Sequence, residues 1–175
     1  VFTIARPAVP KDLPSFDRTR KWLVEFADGN KIEAVFIPDE ERGALCVSSQ
    51  VGCTLSCKFC HTGTQKLVRN LTAQEIVQQI LIARDEVEEW PSSIDFRELT
   101  NIVFMGMGEP FDNLDEVLKS LEILTSEWGF AMSPRRITVS TIGIIPSMLT
   151  FLETSEAHLA VSLHTPFHEE RQKIM

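Results

Sequence analysis

Three cysteines, Cys53, Cys57 and Cys60, lie close together with the spacing CxxxCxxC, and no further cysteine follows them. Thiols this close together are more typical of a metal or redox site in a reduced protein than of a disulfide framework. A four-iron cubane accepts one thiolate on each iron, so three thiolates leave one iron open to a small molecule with an amine and a carboxylate. The spacing therefore predicts an iron–sulfur cluster with one free coordination position.

A structural zinc site is the competing interpretation, because such a site needs four ligands. Cys46 would supply the fourth, and the chain would then be a zinc-stabilised binding module without enzymatic activity. Against this, Cys46 lies inside the apolar run LCVSS, which is typical of a strand and not of a metal-binding turn. A single cysteine in such a run is more often a small buried hydrophobe.

The elements that must position these cysteines alternate along the chain. A proline-rich, irregular lead-in is predicted over residues 1–20, followed by a hairpin over 21–40 that turns at Asp28-Gly29-Asn30. Helices are predicted over 71–90, where Thr72 and Glu75 form a capping box, and over 113–129 and 145–155. Strands are predicted before the cysteine loop and within 101–110, 135–143 and 158–166. This alternation predicts an α/β fold with a parallel sheet and outer helices.

Polar segments follow the predicted strands at the points where they end. These segments are the cysteine loop, Gly106-Met107-Gly108-Glu109, Ser140-Thr141 and Ser162-Leu163-His164. In parallel barrels the carboxyl ends of the strands meet at one rim, and that rim carries the chemistry. The sequence therefore predicts that the four segments converge on one active site.

The composition is that of an ordinary globular protein. The 175 residues carry a formal net charge of −8, so the basic footprint of a nucleic-acid-binding domain is missing from this chain. Its apolar runs are too short to cross a bilayer, and its first residues lack the apolar core of a signal peptide. We expect a cytoplasmic protein that does not bind a membrane.

The cysteine motif, with Phe59 before its third cysteine, resembles the radical S-adenosylmethionine superfamily. The longer segments LCVSSQVGCTLSCKFCHTGTQKLVRNLTAQEI, MGMGEP, ITVSTIG and SLHTP resemble its adenine-methylating branch, the RlmN and Cfr family. The resemblance runs from Arg20 to Met175. It implies the N-terminal part of a TIM-like (β/α)6 barrel over residues 45–175, preceded over residues 1–44 by a lead-in segment and a β hairpin extension.

The resemblance also implies cofactors and their ligands. Cys53, Cys57 and Cys60 would hold a 4Fe-4S cluster, and S-adenosylmethionine would bind its open iron. Gly108 and Glu109 would receive the amino group of the methionine part. The remaining expected contacts to S-adenosylmethionine are Ser140, Ser162, Leu163 and His164.

The reaction implied by the resemblance is methylation of an adenosine in 23S rRNA at carbon 2, through a methylated cysteine and a 5'-deoxyadenosyl radical. Cys46 matches the cysteine that resolves the covalent intermediate by forming a disulfide, and Glu33 matches the general base, which we expect to face a shielded pocket. Modification of tRNA and methylation at carbon 8, the Cfr type, stay open as alternatives. An electron donor such as flavodoxin is expected, with a monomer when the enzyme is full-length.

Parts of the family's pattern do not match any residue of this sequence. The family's methyl-carrying cysteine, an asparagine contact to S-adenosylmethionine and an RNA-binding accessory domain would lie outside it, so we expect the cluster-bearing part of a longer enzyme. Four cationic residues are candidates for contacts to RNA phosphates, with an ordinary charged surface as the competing interpretation. They are Lys66, Arg69, Arg135 and Arg136.

Overall fold

The structure is a computed structural model that describes residues 4–40, 42–90 and 97–175. Seven strands form its main sheet: β1 (Ala8–Pro14), β2 (Arg20–Glu25), β3 (Lys31–Asp39), β4 (Arg42–Cys46), β7 (Asn101–Phe104), β8 (Ile137–Thr141) and β9 (His158–Val161). Two short strands, β5 (Gln50–Val51) and β6 (Arg69–Asn70), pair separately. The helices are α1 (Ala73–Glu86), α2 (Leu114–Thr125), α3 (Ile145–Thr154) and α4 (His168–Ile174).

The main sheet has the strand order β1-β2-β3-β4-β7-β8-β9. The first four strands are antiparallel, while β4, β7, β8 and β9 run parallel to one another. α1, α2 and α3 connect the parallel strands in turn. The predicted α/β class with a parallel sheet and outer helices is therefore confirmed. Within the described residues the strands form an open sheet with β1 and β9 at its edges, and the predicted boundary between residues 44 and 45 falls inside β4.

One face of the sheet packs under the helices and forms the core. Alternate residues of β2, β3, β4, β7 and β8 point into it, among them Trp22, Ile32, Leu45, Phe104 and Val139. These side chains join apolar residues of α1, α2 and α3 in a single buried cluster. The opposite face of the sheet carries half-buried and exposed side chains, and it is the face on which Glu33, Cys46 and Ser140 lie. This second face we call the open face.

The hairpin and the capping box form as predicted. The β2–β3 turn is closed by a hydrogen bond of 2.9 Å from the Phe26 amide to the Asn30 carbonyl, with Gly29 at φ +79°. The Thr72 hydroxyl accepts from the Glu75 amide, and the Glu75 carboxylate accepts from the Thr72 amide. These local signals act through neighbouring residues alone, which is why the sequence reveals them.

Two element predictions need correction. Residues 8–14 were expected to be irregular, but they form β1, which pairs with β2 and has an irregular register between Ala8 and Lys11. An edge strand needs hydrogen bonds on one side only, so it tolerates prolines that would break a central strand. The helix predicted over residues 113–129 ends at Thr125, and Asn113 at its start makes no side-chain cap. Within the described residues, no helix is long and apolar enough to cross a membrane.

Candidate active site

The four polar segments come together at the carboxyl ends of the parallel strands, as predicted. They line one cavity of about 280 Å³. Its wall contains all three clustered cysteines, both Gly106 and Gly108, the Glu109 carboxylate and residues that follow β8 and β9. The lining residues are Cys53, Leu55, Cys57, Phe59, Cys60, Phe104, Met105, Gly106, Gly108, Glu109, Pro110, Ser140, Thr141, Ile142 and Ser162. The convergence follows from topology, because every parallel strand ends at this edge.

The cysteine loop is held by successive turns. The Cys60 amide donates to the Cys57 carbonyl at 3.1 Å, and the Gly63 amide donates to the Cys60 carbonyl at 3.1 Å. Gly63 packs so closely that an added Cβ would lie 2.6 Å from the Cys57 carbonyl oxygen. The Lys58 amide donates to the Ile174 carbonyl at 2.9 Å, which fastens the loop to α4. These backbone contacts fix the path of the loop from Cys57 to Gly63.

The three thiols line one cavity, as the ligands of an iron–sulfur cluster would. Burial, together with repulsion between the neighbouring thiolates, raises the pKa of Cys53 and of Cys57. Bound iron would take the place of the thiol protons, and its positive charge would offset the repulsion between the thiolates. In the described part of the chain no three His, Cys, Asp or Glu side chains converge on one point as a single metal ion requires. In a cubane each thiolate binds a different iron, so thiols spread around a cavity suffice.

Cys46 is placed apart from the other three thiols. It lies at the end of β4, opposite Val35 of β3, and is absent from the residues that line the cavity. Burial raises the pKa of its thiol, and a hydrogen bond from the Met105 backbone opposes that rise. The four-cysteine zinc site would need this thiol beside Cys53, Cys57 and Cys60, so the geometry does not favour it.

Glu109 places a buried carboxylate in the cavity wall. The residue is only 3% exposed. One carboxylate oxygen accepts from the Phe111 amide at 3.0 Å, and the other accepts from the Ile142 amide at 3.1 Å. Burial raises the pKa of Glu109, and hydrogen bonds from Thr141, Phe111 and Ile142 oppose that rise. Among the residues that the structure describes, no cationic side chain forms an ion pair with this carboxylate, which is therefore suited to an ammonium group of a ligand.

Ser140 and Ser162 line the cavity, whereas the next two predicted contacts, Leu163 and His164, are not among its lining residues. Leu163 is 56% exposed. His164 adopts a left-handed conformation, with φ +57°, and its ring lies 4.0 Å from the ring of Phe59, centroid to centroid. His164 therefore reaches the cavity through Phe59, which itself lines the wall.

Glu33 lies on the open face, two residues along β3 from Val35, which pairs with Cys46. The two predicted catalytic residues thus share a face on adjacent strands. The Glu33 carboxylate forms an ion pair of 3.0 Å with Lys21, and 47% of its side chain is exposed. The expectation that Glu33 faces a shielded pocket is wrong for this structure. Lys21 escaped the sequence prediction because only the register of β2 against β3 brings it beside Glu33.

A buried polar cluster behind the cavity was also missed. Ser48, Ser49 and Gln50 are at most 1% exposed. The Ser48 amide donates to the Gln79 side chain at 2.8 Å, and the Gln79 amide group donates back to the Ser48 carbonyl at 2.9 Å. Asn113 donates to the Ser49 and Leu71 carbonyls instead of capping α2. Three consecutive polar residues between apolar runs were the available signal, since buried polar groups need partners.

The four cationic candidates separate into different environments. Arg69 forms ion pairs with Asp28, at 2.6 Å, and Glu75, at 2.8 Å, so it ties the β2–β3 turn to α1. Arg135 and Arg136 directly precede β8. They therefore lie at the amino end of that strand, whereas the cavity lies at the carboxyl ends of the strands. Lys66 is exposed and bridges to Cys53 through the backbone. Of these four residues, only Lys66 combines exposure with a place at the cavity edge.

Comparison with known proteins agrees with this geometry. A family model described as the Radical SAM superfamily matches residues 47–175. Two curated proteins named dual-specificity RNA methyltransferase RlmN are similar to the chain. That of Phenylobacterium zucineum is 56% identical over 100% of this chain and 46% of its own length. That of Rhodospirillum rubrum is 57% identical over 98% of this chain and 40% of its own length. The chain therefore spans less than half the length of either relative.

A solved structure is similar throughout the chain. The crystal structure of a radical SAM methyltransferase from Sphaerobacter thermophilus superposes with a TM-score of 0.90 and 40% identity. The match covers 98% of this chain and 50% of that one. Sequence motif, cavity and fold point to the same family. The chain belongs to the radical SAM superfamily, whose cofactors are the 4Fe-4S cluster and S-adenosylmethionine that the sequence predicted.

Proposed function

We propose that the chain is the cluster-bearing part of a radical S-adenosylmethionine enzyme that methylates an adenosine in RNA at carbon 2. Its substrates would be 23S rRNA and, as in a dual-specificity enzyme, tRNA. The observation that carries the proposal is the single cavity shared by Cys53, Cys57, Cys60 and the buried Glu109 carboxylate. The similarity to proteins named dual-specificity RNA methyltransferase RlmN supplies the substrate class.

In this proposal the cavity residues bind and orient the cofactors. Cys53, Cys57 and Cys60 hold the cluster, which when bound supplies the electron that splits the sulfonium of S-adenosylmethionine. Glu109 accepts the methionine ammonium through a charge-assisted hydrogen bond, and Gly108 lets the backbone approach the same group. Ser140 and Ser162 contribute hydroxyl groups to the wall. Leu163 and His164 follow Ser162, and the His164 ring packs against Phe59 of the wall.

The later steps of the methylation reaction would take place at the open face of the sheet. Glu33 acts as the base that takes the proton from carbon 2 of the adenine. Deprotonated Cys46 would attack the sulfur of a methyl-carrying cysteine outside these residues, so that the S–S bond forms as the S–C bond breaks. The released carbon would take up a proton to complete the methyl group, and the unpaired electron of the adduct would stay on the disulfide until an electron acceptor removes it. Their common face and adjacent strands support this pairing of roles. Because burial raises the pKa of the Cys46 thiol, the thiol stays protonated at neutral pH until a base removes its proton.

The partners follow from the same proposal. An electron donor such as flavodoxin would reduce the cluster, and the enzyme would work in the cytoplasm as a monomer. RNA would approach the carboxyl edge of the sheet, where Lys66 is exposed.

Product mapping by mass spectrometry tests the proposal directly. The protein that carries this chain is loaded with iron and sulfide without oxygen, reduced, and incubated with S-adenosylmethionine and unmodified 23S rRNA or tRNA. We expect 2-methyladenosine in both RNAs. Formation of 8-methyladenosine would replace carbon 2 by the carbon-8 alternative, and a colourless protein with bound zinc would point to the non-enzymatic binding module.

A further inference from the structure

Gln50 is a fully buried side chain that lies between two walls of the cavity. Its exposure is 0%, and it belongs to β5. Its side-chain oxygen accepts from the Glu109 amide at 3.0 Å and from the Thr54 amide at 3.4 Å. Thr54 directly follows Cys53, so one carboxamide oxygen contacts both the cysteine loop and the loop that carries Glu109.

The orientation of this carboxamide is fixed from its other end. The Gln50 nitrogen donates to the Asn70 side-chain oxygen at 2.8 Å. Gln50 and Asn70 are paired residues of the β5–β6 ribbon, and Asn70 in turn donates to the Asp112 carbonyl at 3.4 Å. Because the nitrogen is engaged by Asn70, the oxygen must face Glu109 and Thr54. The short ribbon thus presents one oriented side chain to the site.

The packing around Gln50 is equally restrictive. The Gln50 amide donates to the Met107 carbonyl at 3.2 Å. A Cβ added to Gly108 would lie 2.5 Å from the Gln50 Cβ, so the Gly108 backbone rests directly on the Gln50 side chain. Gly108 also has φ +96°, a conformation that glycine adopts without strain. Neither loop can shift toward or away from Gln50 without breaking a contact.

We infer that Gln50 is a positioning residue that sets the placement of the Glu109 loop relative to the cysteine loop, and thereby the binding of S-adenosylmethionine across the two. This inference rests on the proposed function, because it assumes that both loops bind the same cofactor molecule. The hydrogen bonds that the Gln50 side chain accepts from the two loops come from backbone amides. Its effect passes through the backbone amides of Glu109 and Thr54.

The test compares Gln50→Met with Gln78→Met. Gln78 is also a buried glutamine, but its side chain donates to the Ala5 carbonyl on the far side of α1. Each substitution replaces a buried carboxamide by a methionine side chain of similar volume. Only Gln50→Met also removes the hydrogen bonds to the amides of Glu109 and Thr54. Gln50→Glu is a second variant, which keeps an oxygen for the two amides and loses the donor to Asn70. Each substitution is made in the protein that carries this chain, and each protein is loaded with iron and sulfide without oxygen before measurement.

Iron content and the dissociation constant for S-adenosylmethionine are then measured by metal analysis and equilibrium dialysis. We expect all variants to keep the iron of the unmodified chain, because the three cysteines are intact. Gln50→Met should bind S-adenosylmethionine about tenfold more weakly, since two loop amides lose their shared acceptor. Gln50→Glu should also bind more weakly, because a carboxylate cannot donate to the Asn70 side-chain oxygen that orients residue 50. Gln78→Met should bind with unchanged affinity.

Unchanged affinity in both Gln50 variants would overturn the inference while leaving the proposed function intact. Loss of iron from both Gln50 variants would also overturn it, because Gln50 would then maintain the cysteine loop alone. If the unmodified, iron-loaded protein that carries this chain binds no S-adenosylmethionine, the proposed function itself fails, and the inference fails with it.

Discussion

Glu109 shows how a single residue can be prepared for a cationic ligand. Its carboxylate is buried, its two oxygens are already oriented by the Phe111 and Ile142 amides, and burial raises its pKa above the ordinary value. An ammonium placed beside it would stabilise the ionised form and recover part of the cost of burial. The residue therefore gains most from a ligand with a positive charge.

Changing Glu109→Gln should weaken binding of S-adenosylmethionine by the iron-loaded chain. A hydrogen bond to a charged group contributes roughly 1.5–3 kcal/mol, which corresponds to about a tenfold to hundredfold change in affinity. Equilibrium dialysis measures the change, and Glu153→Gln, an exposed position on α3, is the control. Equal affinities in the two variants would remove Glu109 from the binding site.

The four cysteines should divide into two classes on substitution. Replacing Cys53, Cys57 or Cys60 by Ala should abolish the bound iron of about four atoms per chain that a cubane contains. Cys46→Ala should keep it, because Cys46 lies on β4 outside the cavity. Metal analysis after anaerobic loading distinguishes the classes. Loss of iron in the Cys46 variant would favour a four-cysteine metal site.

At the scale of elements, glycines decide how closely the loops pack. Gly29 and Gly108 both have positive φ, at +79° and +96°. A Cβ at Gly29 would meet nothing within 4 Å, whereas at Gly108 it would lie 2.5 Å from Gln50. Gly29→Ala should therefore cost only the conformational strain of about 1–2 kcal/mol. Gly108→Ala should cost more and should also weaken binding of S-adenosylmethionine.

Chemical denaturation and equilibrium dialysis of the two glycine variants check this contrast. Equal losses of stability in both variants would mean that the loop around Gly108 can move away from Gln50. That outcome would also argue against a rigid cavity wall.

The capping box at the start of α1 provides a second prediction for an element. Thr72→Ala removes the acceptor for the Glu75 amide and should lower the free energy of unfolding by about 1 kcal/mol. Thr150 is a matched control, because its hydroxyl donates to the Pro146 carbonyl inside α3 and caps nothing. Thr150→Ala should change stability by less than about 0.5 kcal/mol. Urea unfolding measures both, and equal effects would contradict a role for the cap.

Local signals were the ones that the sequence revealed. The β2–β3 turn, the α1 cap and the cysteine spacing depend on residues that are neighbours along the chain. The convergence of Cys53, Glu109 and Ser140 followed from a topological rule, since parallel strands end at one edge. The edge position of β1, the Lys21–Glu33 ion pair and the contacts of Gln50 depend on strand register and long-range pairing, which no local pattern encodes.

At the scale of the whole molecule, the two edge strands of the main sheet, β1 and β9, differ in how readily they could pair with another chain. β1 contains Pro10, Pro14 and charged residues, which prevent further pairing. β9 contains neither proline nor Lys, Arg, Asp or Glu, no strand of the described residues pairs with its outer side, and Val161 at its end is 47% exposed. Further exposed apolar side chains surround β9, from α3 and from the segment that follows the strand. They are Ile145, Leu149, Leu152, Leu163 and Phe167.

This asymmetry predicts that the isolated 175-residue chain associates with itself through the β9 side. An unpaired strand edge beside exposed apolar side chains is a template for pairing with another chain. Val161→Lys should reduce the association, because a charge at an edge strand opposes such pairing. Leu13→Lys on β1 is the matched control, since Leu13 is also exposed, at 51%, but lies on the protected edge.

Sedimentation velocity at several protein concentrations compares the unmodified chain with both variants. We expect the unmodified chain and the Leu13 variant to form larger species as concentration rises, and the Val161 variant to stay closer to a monomer. A purely monomeric unmodified chain, or equal association in all three proteins, would show that the β9 edge does not drive contact between copies.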